Sequence, residues 1–214
     1  MYVPKLFEEN RIDVLHGLIR AYPLAALVTQ GEDGLQANHI PFDVESAPEP
    51  FGALYAHVAR ANPVWRNLVR DSESLVIFQG AQAYVSPSWY PTRKKTGMVV
   101  PTWNYAVVHA HGHLQAIEDP AWLRTFVSKL TKIHEQDQAE PWSVSEAPAQ
   151  YLEQQLTAIV GLKLTITRLA GKWKLSQNRP AEDRAGVIQA LFDEGTESSL
   201  AVAKAIEKAN SADS

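Results

Sequence analysis

Cysteine is absent from the 214 residues, which excludes disulfides, thiolate zinc sites and iron–sulfur clusters and makes the cytoplasm the expected location. Long apolar runs are missing too. No stretch approaches the roughly 18 residues of a membrane helix, and residues 1–10 have neither the basic start nor the apolar middle of a signal peptide. Positive charge is in deficit: 20 Lys and Arg against 24 Asp and Glu leave a formal charge of −4, so a whole-chain DNA-binding footprint is lacking. There is no G-x-S-x-G elbow, no G-x-G-x-x-G and no P-loop. The hydrolase, dinucleotide-fold and nucleotide-triphosphatase readings fall with them.

What is present reads as a globular chain of antiparallel strands. Ile12, Leu15 and Ile19 mark a helix over 10–21 that Pro23 ends. A buried strand over 24–29 turns at Gly31-Glu32-Asp33-Gly34 into a second over 35–42. Further strands are expected at 52–57, 74–79, 83–86, 104–116 and 160–168. A βαβ alternation is missing, so the pattern favours a mainly β fold with peripheral helices, an antiparallel barrel. Asn62-Pro63 is an N-cap followed by an N1 proline, with Trp65, Leu68 and Val69 on the apolar face. Asp119-Pro120 repeats that signal ahead of Trp122, Phe126, Leu130 and Ile133. A third helix covers 148–158. Beyond Pro180, Val187, Leu191, Leu200, Ala203 and Ile206 mark two amphipathic pieces, and residues 210–214 read as a frayed tail. The expected layout is a barrel domain over 1–180 and a helical extension packed on it over 181–214.

Aromatic, amide and imidazole groups are concentrated in residues 84–90, 100–112 and 174–179. Such density exceeds what a plain barrel strand requires and points to a pocket for a flat, polar, anionic ligand. Arg60-Ala61-Asn62-Pro63 places a bidentate donor before the free N–H groups of a helix start, which suits an anion; it also reads as an ordinary cap beside a surface arginine. Lys172 and Lys174 share one face of a short strand and lead into Ser176, Gln177, Asn178 and Arg179. They form a ligand site, or they are edge-strand lysines that discourage aggregation. His109, His111 and His113 alternate on a strand. That spacing suits zinc, iron or copper, with His39 or His57 as a fourth ligand, or plain hydrogen bonding. Trp103 and Tyr105 share a face on which a planar ring packs. Residues 91–99, with Arg93-Lys94-Lys95 and Gly97, read as a charged lid or as a solvent loop.

These residues resemble a known family. Met1-Tyr2-Val3-Pro4 with Phe7, Ala37-Asn38-His39-Ile40-Pro41-Phe42 and His57-Val58-Ala59-Arg60-Ala61-Asn62-Pro63 look like the PaiB family. So do Phe78-Gln79-Gly80 through Trp89-Tyr90, Pro101-Thr102-Trp103-Asn104-Tyr105, and Lys172 with Lys174-Leu175-Ser176-Gln177-Asn178-Arg179. The matches run in order over nearly the whole chain. Members are described as FMN-binding negative transcriptional regulators. The resemblance implies the FMN-binding split β-barrel shared with pyridoxamine-phosphate oxidases and flavin reductases, and a homodimer with flavin at its interface.

By that resemblance the cofactor is FMN and its ligands are Asn38, His39, His57, Arg60, Asn62, Trp103, Asn104, Tyr105, Lys174, Gln177 and Arg179. Arg60 and Lys174 would neutralise the phosphate, and Trp103-Asn104-Tyr105 would border the ring. No catalytic or metal-binding residue is implied. The alternatives are an FMN-dependent oxidoreductase acting on a small molecule, and a haem- or metal-binding split barrel. No helix-turn-helix signature and no basic recognition helix is present, so a regulatory effect is either direct, through a surface patch, or indirect, through flavin chemistry.

Overall fold

The structure, a computed structural model, describes residues 1–66 and 72–212. Leu68 and Val69, assigned to the helix after Pro63, lie outside the described residues. The strands are β1 (Glu8–Glu9), β2 (Leu24–Gly31), β3 (Gly34–Pro41), β4 (Asp43–Glu45), β5 (Ala53–Ala59), β6 (Ser74–Val85), β7 (Thr102–Ile117) and β8 (Ile159–Lys174). The helices are α1 (Ile12–Ala21), α2 (Thr92–Thr96), α3 (Pro120–Glu135), α4 (Ala149–Thr157), α5 (Ala181–Glu194) and α6 (Glu197–Ala212). One sheet joins the strands in the order β3-β2-β6-β7-β8-β5-β4, and β1 pairs with β8. Among the described residues no helix is long and apolar enough to cross a membrane.

The chain forms two compact units. The first holds residues 1–22, 78–109 and 170 onward; the second holds 23–77 and 110–169. In the second, the β2–β3 hairpin pairs Gly31 with Gly34, whose φ of 105° is open to glycine without a Cβ penalty. Leu27, Ile40, Leu54, Val58, Leu162 and Leu164 fill its core. Asp119 caps α3 through Ala121 N–H at 3.0 Å. The helix then lays Trp122 on Phe126, with ring centroids 4.8 Å apart.

In the first unit, α5 and α6 share a core with β6. Val85, Leu175, Val187, Leu191, Val202 and Ile206 are fully or almost fully buried there, each contributing on the order of 1.5–3 kcal/mol. Residues 91–99 hold α2 rather than an irregular loop. Asp183 accepts from Thr92 N–H at 3.1 Å and from its hydroxyl at 2.8 Å, and Gly97 closes the helix at φ 68°. Helix α6 continues to Ala212, into the segment read as a tail.

Two strand expectations need correction. Residues 74–79 and 83–85 are parts of the single strand β6, and Ser86 caps the turn that follows it. Gly80 is not a turn but a close approach: a Cβ there would lie 3.1 Å from Leu18 and 3.2 Å from the Ala106 carbonyl oxygen. Strand β8 runs six residues past the expected end at 168, to Lys174.

Candidate functional site

Strand β7 alternates. Asn104, Ala106 and Val108 point into the core, while Trp103, Tyr105 and His109 take the opposite side. Strand β6 does not alternate throughout. Its less buried positions are 75, 77, 79 and 81 and then 82 and 84, so the phase slips by one residue just past Gly80, as at a bulge. The slip brings Gln79 and Gln82 to one face. With Met1, Trp103, Tyr105, Val107 and His109 they line an open cleft of about 390 Å³. Trp103 Nε1 donates to Gln82 Oε1 at 3.0 Å and meets the Tyr84 ring edge-on at 6.1 Å. Trp103 is still 48% exposed, an unusual position for a side chain so apolar. Gln79 and Gln82 were not anticipated, and the isolated Gly80 within a strand was the available signal.

The end of β8 adjoins this cleft through Tyr105 and Trp103. Lys174 donates to the Thr102 hydroxyl and, at 2.7 Å, to the Trp103 carbonyl. Burial first, and the neighbouring Lys172 charge second, hold its pKa below the ordinary lysine range. Lys172 Nζ lies 5.3 Å from the Tyr105 ring centroid and 5.8 Å from that of Tyr2. Asn104 is wholly buried and donates through Nδ2 to Ser176 Oγ at 2.8 Å, while its Oδ1 has no partner. Ser176 holds φ at 64° to make that bond. Gln177 folds back, donating to the Trp173 carbonyl at 2.6 Å and accepting from Leu175 N–H at 2.7 Å. The Arg179 guanidinium lies over the Tyr90 ring at 4.5 Å.

The remaining five expected ligands belong to the second unit. Asn62 Nδ2 donates to Asn38 Oδ1 at 2.9 Å, and Asn62 Oδ1 caps Val64 N–H at 3.0 Å over a single 3₁₀ turn. His39 is exposed. Arg60 spends its guanidinium within the protein. Nε and Nη2 donate to the Thr157 and Ile159 carbonyls at 2.8 and 3.1 Å, and Nη1 donates to Glu118 at 2.5 Å. His57 meets Phe126 edge-on at 6.1 Å, and burial lowers its pKa from the usual 6.5.

The sign of that shift makes a prediction. Unfolded His57 takes up a proton near pH 6.5 that the folded chain resists, so its contribution is present above that pH and lost as pH falls through it. His111 shares the direction, through burial first and Arg168 second. Urea unfolding at about pH 7.5 and about pH 5.5 is expected to show lower stability in acid, and His57→Phe to reduce that difference. An equal slope in the variant would rule His57 out as a contributor.

Of the strand histidines, His111 accepts from Arg168 at 2.9 Å and lies 3.1 Å from Glu73. His113 is exposed. Among the described residues no group of three or more His, Cys, Asp and Glu is placed to hold a metal ion.

The family described as "Putative FMN-binding domain" matches residues 1–168. The protease synthase and sporulation protein PAI 2 of Bacillus subtilis is 30% identical over 97% of this chain and 97% of its own length. The chain belongs to the PaiB family. An uncharacterized protein from Aspergillus fumigatus is 33% identical, again over 97% of both chains. Among solved structures, the flavocytochrome Anf3 of Azotobacter vinelandii has a TM-score of 0.62 at 14% identity, over 86% of this chain and 78% of that one. A FAD- and haem-binding protein of Mycobacterium smegmatis has a TM-score of 0.58 at 17% identity, over 83% and 78%. The shared architecture is the antiparallel split barrel.

FMN is the cofactor of the PaiB family, and the cleft suits its ring chemically. Trp103, Tyr105 and Val107 offer apolar walls, while the Gln79 and Gln82 amides offer both donors and acceptors to a pyrimidine edge. The family match stops at Arg168, so Lys172, Lys174 and both C-terminal helices lie beyond it.

Proposed function

We propose that the chain binds FMN with the flavin ring against Trp103 and Tyr105, and the pyrimidine edge toward Gln79 and Gln82. Lys174 supplies positive charge for the phosphate. The observation that carries this reading is the solvent-open aromatic and amide cleft on β6 and β7. FMN, when bound, supplies hydride or single-electron transfer. This chain's own residues orient the ring and hold charge near it. The test is the visible spectrum of the purified protein, repeated after adding FMN and removing the excess. Retained flavin bands are expected; a colourless protein that takes up no FMN overturns the reading.

Asn104, Gln177 and Arg179 are proposed as supports of this cleft, while Asn38, His39, His57 and Asn62, expected as ligands by resemblance, are residues of the second unit. Arg60 is proposed as a clasp, because its donors already meet Glu118 and two carbonyls. Arg60→Ala is expected to lower stability by about 2 kcal/mol with little change in FMN affinity, since hydrogen bonds to charged groups contribute on that scale. A stable variant with FMN affinity down by about tenfold would instead assign Arg60 to the phosphate.

The regulatory role attached to the family is proposed to be indirect. The net charge is −4, and Lys95, within the run of three positive residues, is paired with Glu182 at 2.6 Å. Specific DNA retention in a salt-titrated shift assay would contradict this. The homodimer is proposed to cover the exposed Tyr84 and Trp103, and sedimentation of Trp103→Glu would test it by yielding monomer.

A further inference from the structure

Burial sets Lys172 apart from the other cations: among the described residues it is the only buried lysine or arginine. Arg11, Arg60, Lys95, Arg124, Lys129 and Arg168 each lie within ion-pair distance of a carboxylate. Among the described residues Lys172 and Lys174 have no such partner, in a chain where acidic residues outnumber basic ones. Glu8 stands opposite Lys172 in the β1–β8 register, yet it is exposed and forms no ion pair with it. Glu9, the next acidic group on β1, is bound to Arg11. Lys172 is only 9% exposed, and its one hydrogen bond is a long 3.3 Å contact to the Tyr2 carbonyl. A buried ammonium offset only by that bond and by the faces of Tyr2 and Tyr105, with no anionic partner, is costly. Protection of a sheet edge does not explain it, because β8 is an interior strand and its end is covered by β1.

We infer that Lys172 and Lys174 form an oxyanion site beside the aromatic cleft, taking a phosphate or carboxylate group carried on a small, flat molecule. Lys174 is partly exposed and gives the approach from solvent, while Lys172 lies deeper against Tyr105. Thr102, whose oxygen already accepts from Lys174, keeps its own hydroxyl proton to donate to the anion. The anion supplies the countercharge missing from the protein, and a flat body attached to it would extend along Trp103 and Tyr105. The site does not rest on the flavin reading.

Calorimetric titration of the full chain with inorganic phosphate, then with FMN and with riboflavin, tests this in wild type, Lys172→Met and Lys174→Met. Methionine keeps the apolar stem and removes the charge. Phosphate is expected to bind wild type, more weakly as salt is added, and each variant is expected to lose about tenfold or more. Lys172→Arg is expected to retain most of the affinity. If Lys172→Met abolishes the preference for FMN over riboflavin, the oxyanion is the flavin's own phosphate. If that preference survives while flavin-loaded protein loses phosphate binding, the oxyanion belongs to a second molecule. Phosphate binding by a protein that takes up neither FMN nor riboflavin at its ring would sink the flavin reading alone. Absence of phosphate binding in wild type, or wild-type affinity in both methionine variants, overturns the oxyanion site.

Discussion

Replacing Trp103 and Tyr105 together by alanine is expected to weaken FMN binding by about 3 kcal/mol, more than a hundredfold in Kd. Stacking of a flat heterocycle on one aromatic side chain is worth roughly 1–3 kcal/mol by alanine substitution, and both rings line the same cleft. Trp103 is half exposed, so its removal takes little from the core and the double variant should remain folded. Its indole also fixes Gln82, so the variant loses the orientation of that amide together with the wall. Quenching of flavin fluorescence measures the effect. Trp142→Ala, which removes an exposed tryptophan in the second unit, serves as the control. Equal Kd values for the control and the double variant would remove the flavin from this cleft.

Gly112→Ala is expected to destabilise the fold by about 3 kcal/mol, near the top of the range for overpacking. A Cβ at Gly112 collides with the Thr165 carbonyl oxygen and comes within 2.7 Å of Leu164 Cδ2. The leucine can rotate away; the carbonyl is part of β8 and cannot. Gly17→Ala provides the contrast, since nothing lies within 4 Å of the added atom in the middle of α1. It is expected to gain about 0.5–1 kcal/mol. Urea midpoints with unchanged slopes would report both changes. A neutral Gly112→Ala would mean that β7 and β8 can separate at this point.

Local signals made much of the fold legible. Asp119-Pro120 marked the start of α3, the Gly31–Gly34 turn marked the β2–β3 hairpin, and Pro23 marked the end of α1. The unity of β6 was hidden because Gly80 has its reason in Leu18 and Ala106, residues remote in sequence. The site divided in the same way. Period-two spacing put Trp103 and Tyr105 on one face, as strand geometry requires. Gln79 and Gln82 escaped because strict alternation assigns positions three apart to opposite faces. Arg60 looked free for an anion because its partners, Glu118, Thr157 and Ile159, are 58 to 99 residues away. Helix-start chemistry can be read from four consecutive residues; the fate of a guanidinium cannot.

The phase slip beside Gly80 makes the cleft a matter of counting. Before it, Val76 and Phe78 are buried and Gln79 is exposed; after it, Ala83 and Val85 are buried, with Gln82 and Tyr84 outside. Removing one residue at that point would restore even spacing and invert everything downstream, sending Gln82 and Tyr84 inward and Ala83 and Val85 to the surface. Substitution can vary the cleft one side chain at a time, but a change of length there replaces its whole lining and breaches the core in a single step. Insertions and deletions at this point should therefore be much rarer among related chains than exchanges at Gln79, Gln82 or Tyr84.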